Sequence, residues 1–158
     1  MKKQIESGWL VPPVISLKLV RECPSPYEIS GWDDVVTIAR QFIEMEDREH
    51  LIAIPMDAKG KVLGIHTVAI GDSLSCIVTP REVFKAAILT NACSIVVAHN
   101  HPSGDPNPSK EDFLVTEKLF LAGNILGIEL LDHVIVGAGR SHSMKRERTF
   151  NFAIGGVK

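Results

Sequence analysis

Cysteine is scarce. The 158 residues hold three, Cys23, Cys76 and Cys93, and no two stand in C-x-x-C spacing. An odd count without that spacing argues against a disulfide framework and against a cysteine-rich zinc site. Cys93 opens an apolar run and reads as a small buried hydrophobe. Long apolar stretches are missing as well. None reaches the roughly 20 residues a membrane-crossing helix needs, so no membrane association is expected. The basic start Met1-Lys2-Lys3 is not followed by the apolar segment of a secretory signal. A reducing, cytoplasmic location is therefore expected. Positive charge is not in excess either: 17 Lys and Arg stand against 19 Asp and Glu, a net charge of -2. Nothing global pulls this chain toward nucleic acid. The one basic cluster, Lys145, Arg146 and Arg148, reads as a solvated tail.

What remains is an ordinary globular composition, 45% hydrophobic and 23% charged. The length suits one domain with a core of its own. Residues 1–30 contain Pro12, Pro13, Pro24 and Pro26 and read as an extended arm. Within it, alternating Ile15, Leu17 and Leu19 suggest a strand near 14–20. Ser30 is placed to cap a helix from Trp32 to Met45 that buries Val35, Ile38, Ala39 and Phe42. His50 to Asp57 reads as a strand, Ala58-Lys59-Gly60 as a turn, and Val62 to Ile70 as the antiparallel partner. Thr79-Pro80-Arg81-Glu82 has a capping-box pattern with proline at the first helical position, opening a helix that buries Val83, Phe84, Ala87 and Ile88. Ser94 to Ala98 is a short, wholly apolar run of central-strand type. A polar loop from His99 to Pro108 follows. A helix then runs from Ser109 to about Ala122, weakened by Gly123-Asn124 and ended by Gly127 at the latest. Ile128 to Val136 reads as another strand, and the tail carries no clear pattern. Strands and helices interleave behind an opening hairpin, which predicts an α/β sandwich: a mixed sheet with helices on its faces.

The chemistry concentrates in His99-Asn100-His101-Pro102-Ser103-Gly104-Asp105-Pro106-Asn107-Pro108-Ser109-Lys110-Glu111-Asp112. In extended chain, residues two apart point to the same side, so His99 and His101 can converge on one cation. The loop after them is rich in proline and glycine and can turn back sharply. Ser109 is a natural N-cap, which places Asp112 in the first helical turn, facing the strand end. Two histidines and one carboxylate leave a fourth tetrahedral position for water, as catalytic zinc sites do. Zinc would lower that water's pKa toward neutrality and polarise a carbonyl. Each part has a plainer reading. H-x-H alone is a weak signal, S-x-x-D alone is a cap, and a strand-end loop before a helix also suits an anion. Together they have few structural excuses. Asp105, a rival third ligand, reads more simply as a turn residue. His133, preceded by Asp132, suits a metal-orienting pair, although a satisfied core histidine explains it more simply. His50, His66 and His142 show no ligand spacing.

H-x-H-P followed by S-x-x-D resembles the JAMM motif of the MPN/JAB metallopeptidase superfamily. The longer strings HNHPSGDPNPSKEDFLVTEKL and GIELLDHVIVG, with TPREVF upstream, resemble the RadC family over about residues 30–145. The resemblance implies a three-layer sandwich of the JAB/MPN, cytidine-deaminase-like type over residues 31–158. It implies one Zn2+ per chain held by His99, His101 and Asp112. It implies an oxyanion-stabilising role for Ser109, and an upstream glutamate that takes a proton from the zinc-bound water. Glu49 is the candidate, because it sits where a helix passes into the first core strand and its REHL segment fits the family there. Glu82 is the rival, already explained by its cap. Many RadC-like proteins also carry an N-terminal helix-hairpin-helix region. Only the arm stands in that place here, so this chain is expected to lack it. The tail from Arg140 to Met144 fits the family loosely.

These readings favour a zinc-dependent hydrolase of peptide or isopeptide bonds, a metalloprotease with a peptide or protein substrate that the sequence does not identify. The alternative is a DNA-associated accessory protein in repair or recombination, which the net charge does not favour. A third is an interaction module that kept the fold without turnover, although relatives that lost catalysis usually lost ligands and this chain keeps them. A nucleobase deaminase would need a P-C-x-x-C pair, which is absent. An unpaired strand in the arm would offer an edge to a second copy, making a homodimer one arrangement to expect.

Overall fold

A computed structural model of the chain describes residues 27–71 and 78–153. The expected arm strand at 14–20 lies outside the described residues. Of the arm, Glu28 bridges Lys61 in antiparallel fashion, and the Ile29 N–H donates to the Gly60 carbonyl at 2.9 Å. The elements run α1 (Trp32–Ile43), β1 (Glu49–Met56), β2 (His66–Gly71), α2 (Pro80–Leu89), β3 (Ser94–Asn100), α3 (Lys110–Leu126), β4 (Glu129–Gly137) and β5 (Arg140–Ser143). They build one five-stranded mixed sheet in the order β2-β1-β3-β4-β5. Among the described strands only the β3–β4 pair is parallel, and α3 makes the crossover between those two strands. This is the mixed sheet flanked by helices that the sequence predicts.

Alternation along the strands sorts the core into two clusters. Ile52, Ile54 and Met56 of β1, Val96 and Ala98 of β3, and Val134 and Val136 of β4 pack on α1 through Val35, Val36, Ile38, Ala39 and Ile43. Leu51, Ala53, Ile95, Val97 and Leu130 pack on the opposite face against Val83, Phe84 and Ala87 of α2 and Val115, Leu119 and Phe120 of α3. The result is three layers: one helix, the sheet, two helices.

The sequence expectations needed correction at element edges. α1 is capped at Gly31, not Ser30. Asp34 Oδ2 reaches back instead, accepting from the Ser30 amide and hydroxyl at 2.8 Å each. The buried line of α1 runs Val35, Ala39, Ile43 at four-residue steps, which turns Phe42 about 100° away from it and leaves it 50% exposed. Ile88 on α2 is likewise exposed. Thr79 caps α2 through its backbone alone, and Glu82 pairs with Lys85 rather than closing a capping box. Strand β2 starts at His66, four residues late, because Val62 only bridges Met56 and the β1–β2 register slips at Leu51/Ile52. α3 runs through Gly123 to Leu126, and Gly127 caps it in the left-handed region (φ 69°). Gly123 belongs there for space: a Cβ would stand 2.5 Å from the Ile128 carbonyl oxygen. Cys93 is exposed, not buried. No helix among the described residues is long and apolar enough to cross a membrane.

Candidate metal centre

Strand β3 continues past Ala98 through His99 to Asn100, so the first histidine of the motif lies inside the sheet rather than in the loop. Alternation continues with it. His99 follows Ile95 and Val97 toward α2 and α3, while Asn100 follows Val96 and Ala98 toward α1. Both are fully buried. Pro102 ends the strand. The loop folds back onto the end of β4, where the His101 amide donates to the Val136 carbonyl at 2.9 Å. At its bend Gly104 takes φ 81°, and a Cβ there would lie 2.9 Å from that of Ala138. Both conditions call for glycine.

Ser109 is the N-cap of α3, as its residue type predicts. Its hydroxyl accepts from the Asp112 amide at 3.1 Å, and Asp112 Oδ2 takes the Ser109 amide at 2.7 Å and the Ser109 hydroxyl at 2.6 Å. This reciprocal box holds the carboxylate rigidly and leaves Oδ1 facing His99 Nε2 at 3.2 Å. His101 Nε2 lies 2.9 Å from His99 Nε2 and 3.5 Å from Asp112 Oδ2. The three candidate ligands therefore meet at one point, each offering an atom within 4.8 Å of the others. A tetrahedron with metal–ligand bonds of about 2.0–2.1 Å has edges of about 3.3–3.4 Å, so a zinc ion fits this donor set.

Hydrogen-bond direction strengthens that fit. His101 Nδ1 lies 2.7 Å from the Asp105 carbonyl oxygen, which can only accept. The proton of neutral His101 is therefore on Nδ1, and its Nε2 lone pair points inward. Asp105 serves the site through its backbone, while its side chain holds the turn through Asn107. Burial raises the Asp112 carboxyl, but hydrogen bonds from His101 and His99, which their Nε2 atoms donate only when the rings are protonated, outweigh it and hold the group well below the usual carboxylate range. The hydrogen bond that protonated His101 donates to Asp112 raises His101 against the opposing effect of burial, and the Glu49 carboxylate adds to the rise. With both rings neutral the point of convergence is rich in lone pairs and negative charge, and it therefore draws a proton or a metal cation.

Glu49 is the first residue of β1 and is partly buried. Leu51 pairs with His99 in the antiparallel β1–β3 ladder. Glu49 stands two residues before Leu51 on β1, near enough for its carboxylate to act on His101. Glu82 interacts with Lys85, Arg81 and His66, none of them in the cluster.

Three residues outside the motif's ligand positions complete the setting. Asn100 Nδ2 donates to the carbonyls of Glu46 and Arg48 at 3.3 and 2.9 Å, and its Oδ1 accepts from the His50 amide at 2.7 Å. It clamps the turn leading into Glu49. His133 Nε2 lies 2.8 Å from His99 Nδ1, and His133 Nδ1 lies 2.6 Å from the Thr116 hydroxyl. Burial depresses His133 to about 3, so the ring is neutral at ordinary pH. His133 is thus a core histidine satisfied by hydrogen bonds, and one of those bonds is to a candidate ligand. The adjacent Asp132 does not touch the His133 ring; it accepts from the backbone amides of His133 and Lys145 and from the Ser143 hydroxyl. Thr116 carried a findable signal, four residues beyond Asp112 on the same helix face.

Residues 29–149 match the family described as the RadC-like JAB domain. The chain is 45% identical over 126 residues to a UPF0758 protein of Caldanaerobacter subterraneus, covering 80% of this chain and 54% of that protein. It is 45% identical over 120 residues to a UPF0758 protein of Methanosarcina mazei, covering 76% and 52%. Against a UPF0758 protein of Moorella thermoacetica it is 48% identical over 112 residues, covering 71% and 49%. The chain spans about half the length of these curated relatives.

Proposed function

The chain belongs to the RadC family of JAB-domain proteins, and on that premise we propose that it is a zinc-dependent hydrolase of peptide or isopeptide bonds. One observation carries the reading: two imidazole Nε2 atoms and a carboxylate converge on one point, with His101 Nδ1 donating to the Asp105 carbonyl and the Ser109 hydroxyl donating to Asp112 behind them. Acceptors so arranged repel one another unless a cation lies between them. His99, His101 and Asp112 would hold Zn2+. Bound there, it would supply an acidic water and a Lewis acid for the scissile carbonyl.

The protein's own groups supply the rest. Glu49, whose carboxylate acts electrostatically on His101, takes a proton from the attacking water and returns it to the leaving amine. Ser109 orients Asp112 through its hydroxyl proton. It can assist an oxyanion only by turning that proton away from Asp112. The Pro-rich loop and the α3 N-terminus frame the approach to the site. No observation favours the DNA-associated reading, and the net charge of -2 does not support it.

The test is metal analysis of protein purified without chelator, joined to turnover of a fluorogenic peptide and isopeptide panel. The expected result is about one zinc per chain. Glu49→Gln should keep the zinc and lose about 10²–10⁴-fold in turnover. Zinc-loaded protein that cleaves nothing in the panel would favour an interaction module, and absence of zinc would remove the hydrolase reading altogether.

A further inference from the structure

We propose that Thr116 and His133 are positioning residues that fix the ring tautomer of His99, so that its Nε2 offers a lone pair to a cation. The proposal rests on the metal reading above for its purpose, but the tautomer follows from counting hydrogens.

The Thr116 hydroxyl has one hydrogen. Its oxygen lies 2.6 Å from the Asp112 carbonyl oxygen and 2.6 Å from His133 Nδ1. Were the hydrogen spent on His133, two oxygens would face each other at 2.6 Å with nothing between them. The hydroxyl therefore donates to Asp112, and His133 Nδ1 must carry a hydrogen to donate to Thr116. A neutral imidazole has only one such hydrogen, so His133 Nε2 is an acceptor. Across the 2.8 Å contact, His99 Nδ1 is then the donor. The proton of neutral His99 is held on Nδ1, and Nε2 then offers a lone pair where it meets His101 and Asp112.

The chain of bonds runs His99, His133, Thr116, Asp112 and ends on the backbone of a second candidate ligand. All four residues are buried. Three elements contribute: β3, β4 and the first turns of α3. Among the described residues, His99 and His101 thus present the same tautomer for different reasons, one set by a relay of side chains and the other by a loop carbonyl. Partners behind metal-ligating histidines fix orientation and tautomer in this way in metal sites generally.

Thr116→Val tests this without changing side-chain shape. With no hydroxyl to receive it, the His133 proton shifts to Nε2 and donates to His99 Nδ1, which drives the His99 proton onto Nε2. Imidazole 15N spectra of the metal-free protein read both tautomers directly. The expected result is Nδ1–H on His99 in the parent and in Thr116→Ser, and Nε2–H in Thr116→Val. Zinc affinity, measured by competition with a chromophoric chelator, should fall about 10–100-fold in Thr116→Val and recover in Thr116→Ser. A folded Thr116→Val protein that keeps Nδ1–H on His99, whatever its loss of thermal stability, would overturn the proposal. If the parent takes up no zinc, the hydrolase reading falls, and the 15N spectra alone decide this one.

Discussion

Asp112 and Asp132 are both buried carboxylates beside a histidine, yet their surroundings are opposites. Asp132 is ringed by donors: two backbone amides on one oxygen and the Ser143 hydroxyl on the other. It ties β4 to the turn after β5 and has no use for a cation. Asp112 has donors from Ser109 on one side, while its other side meets two imidazoles that, when neutral, point their lone pairs at it. Burial raises both, but hydrogen bonds from protonated imidazoles carry Asp112 below the usual carboxylate range, whereas at Asp132 burial outweighs the three donors and the group is raised. Imidazole nitrogens turned toward the carboxylate oxygens, not burial or a histidine next in sequence, separate a candidate ligand from a structural acid.

The comparison breaks most visibly on His101→Ala. Bound zinc should fall from about one per chain to less than about a tenth, read by metal analysis of folded protein. Asp132→Ala should do the reverse. It leaves the Ser143 hydroxyl and two amides without their acceptor and should cost about 2–3 kcal/mol in denaturant unfolding, with zinc per folded chain unchanged. Zinc loss in Asp132→Ala would erase the distinction between the two acids. Asn100→Ala lies between these cases. It removes three bonds behind Glu49 and should cost about 1–2 kcal/mol, with metal retained and turnover reduced.

The smallest effect is in pH dependence, and the two acids should differ in sign. Asp112 is held below its unfolded value of 3.8. Its stabilisation is present above pH 3.8 and is lost as pH falls through the folded value. Asp132 is raised above 3.8. Between that value and its folded one the folded chain holds the extra proton, so its contribution weakens as pH rises. Unfolding free energies of metal-free protein from about pH 3 to 7, set against Asp112→Asn and Asp132→Asn, should show opposite slopes. Slopes of one sign would mean the two environments are alike.

Much of the fold was legible because it rests on local periodicity. The helices at 32, 80 and 110 and the strands at 49, 94 and 129 follow from apolar spacing and punctuation by proline and glycine. Strand β5 was not legible. Its hairpin turns on Ala138-Gly139, both at positive φ, instead of the Asn-Gly or Asp-Gly that announces such a turn. Phe42 and Ile88 misled because an apolar residue at the margin of a helix stripe can face either way until its neighbours are known.

The candidate site divides along the same line. Two histidines on one side of a strand and an acid in the first turn after a serine cap are short-range facts of backbone geometry, and the residue order alone determined them. The partners behind the candidate ligands depend on which strand lies beside which and in what register. His133 reaches His99 across 34 residues of chain and Asn100 reaches Arg48 across 52. Only packing of the three layers could decide those meetings, because hydrogen bonds are chosen by neighbours in space while spacing in the sequence speaks only for neighbours along the chain.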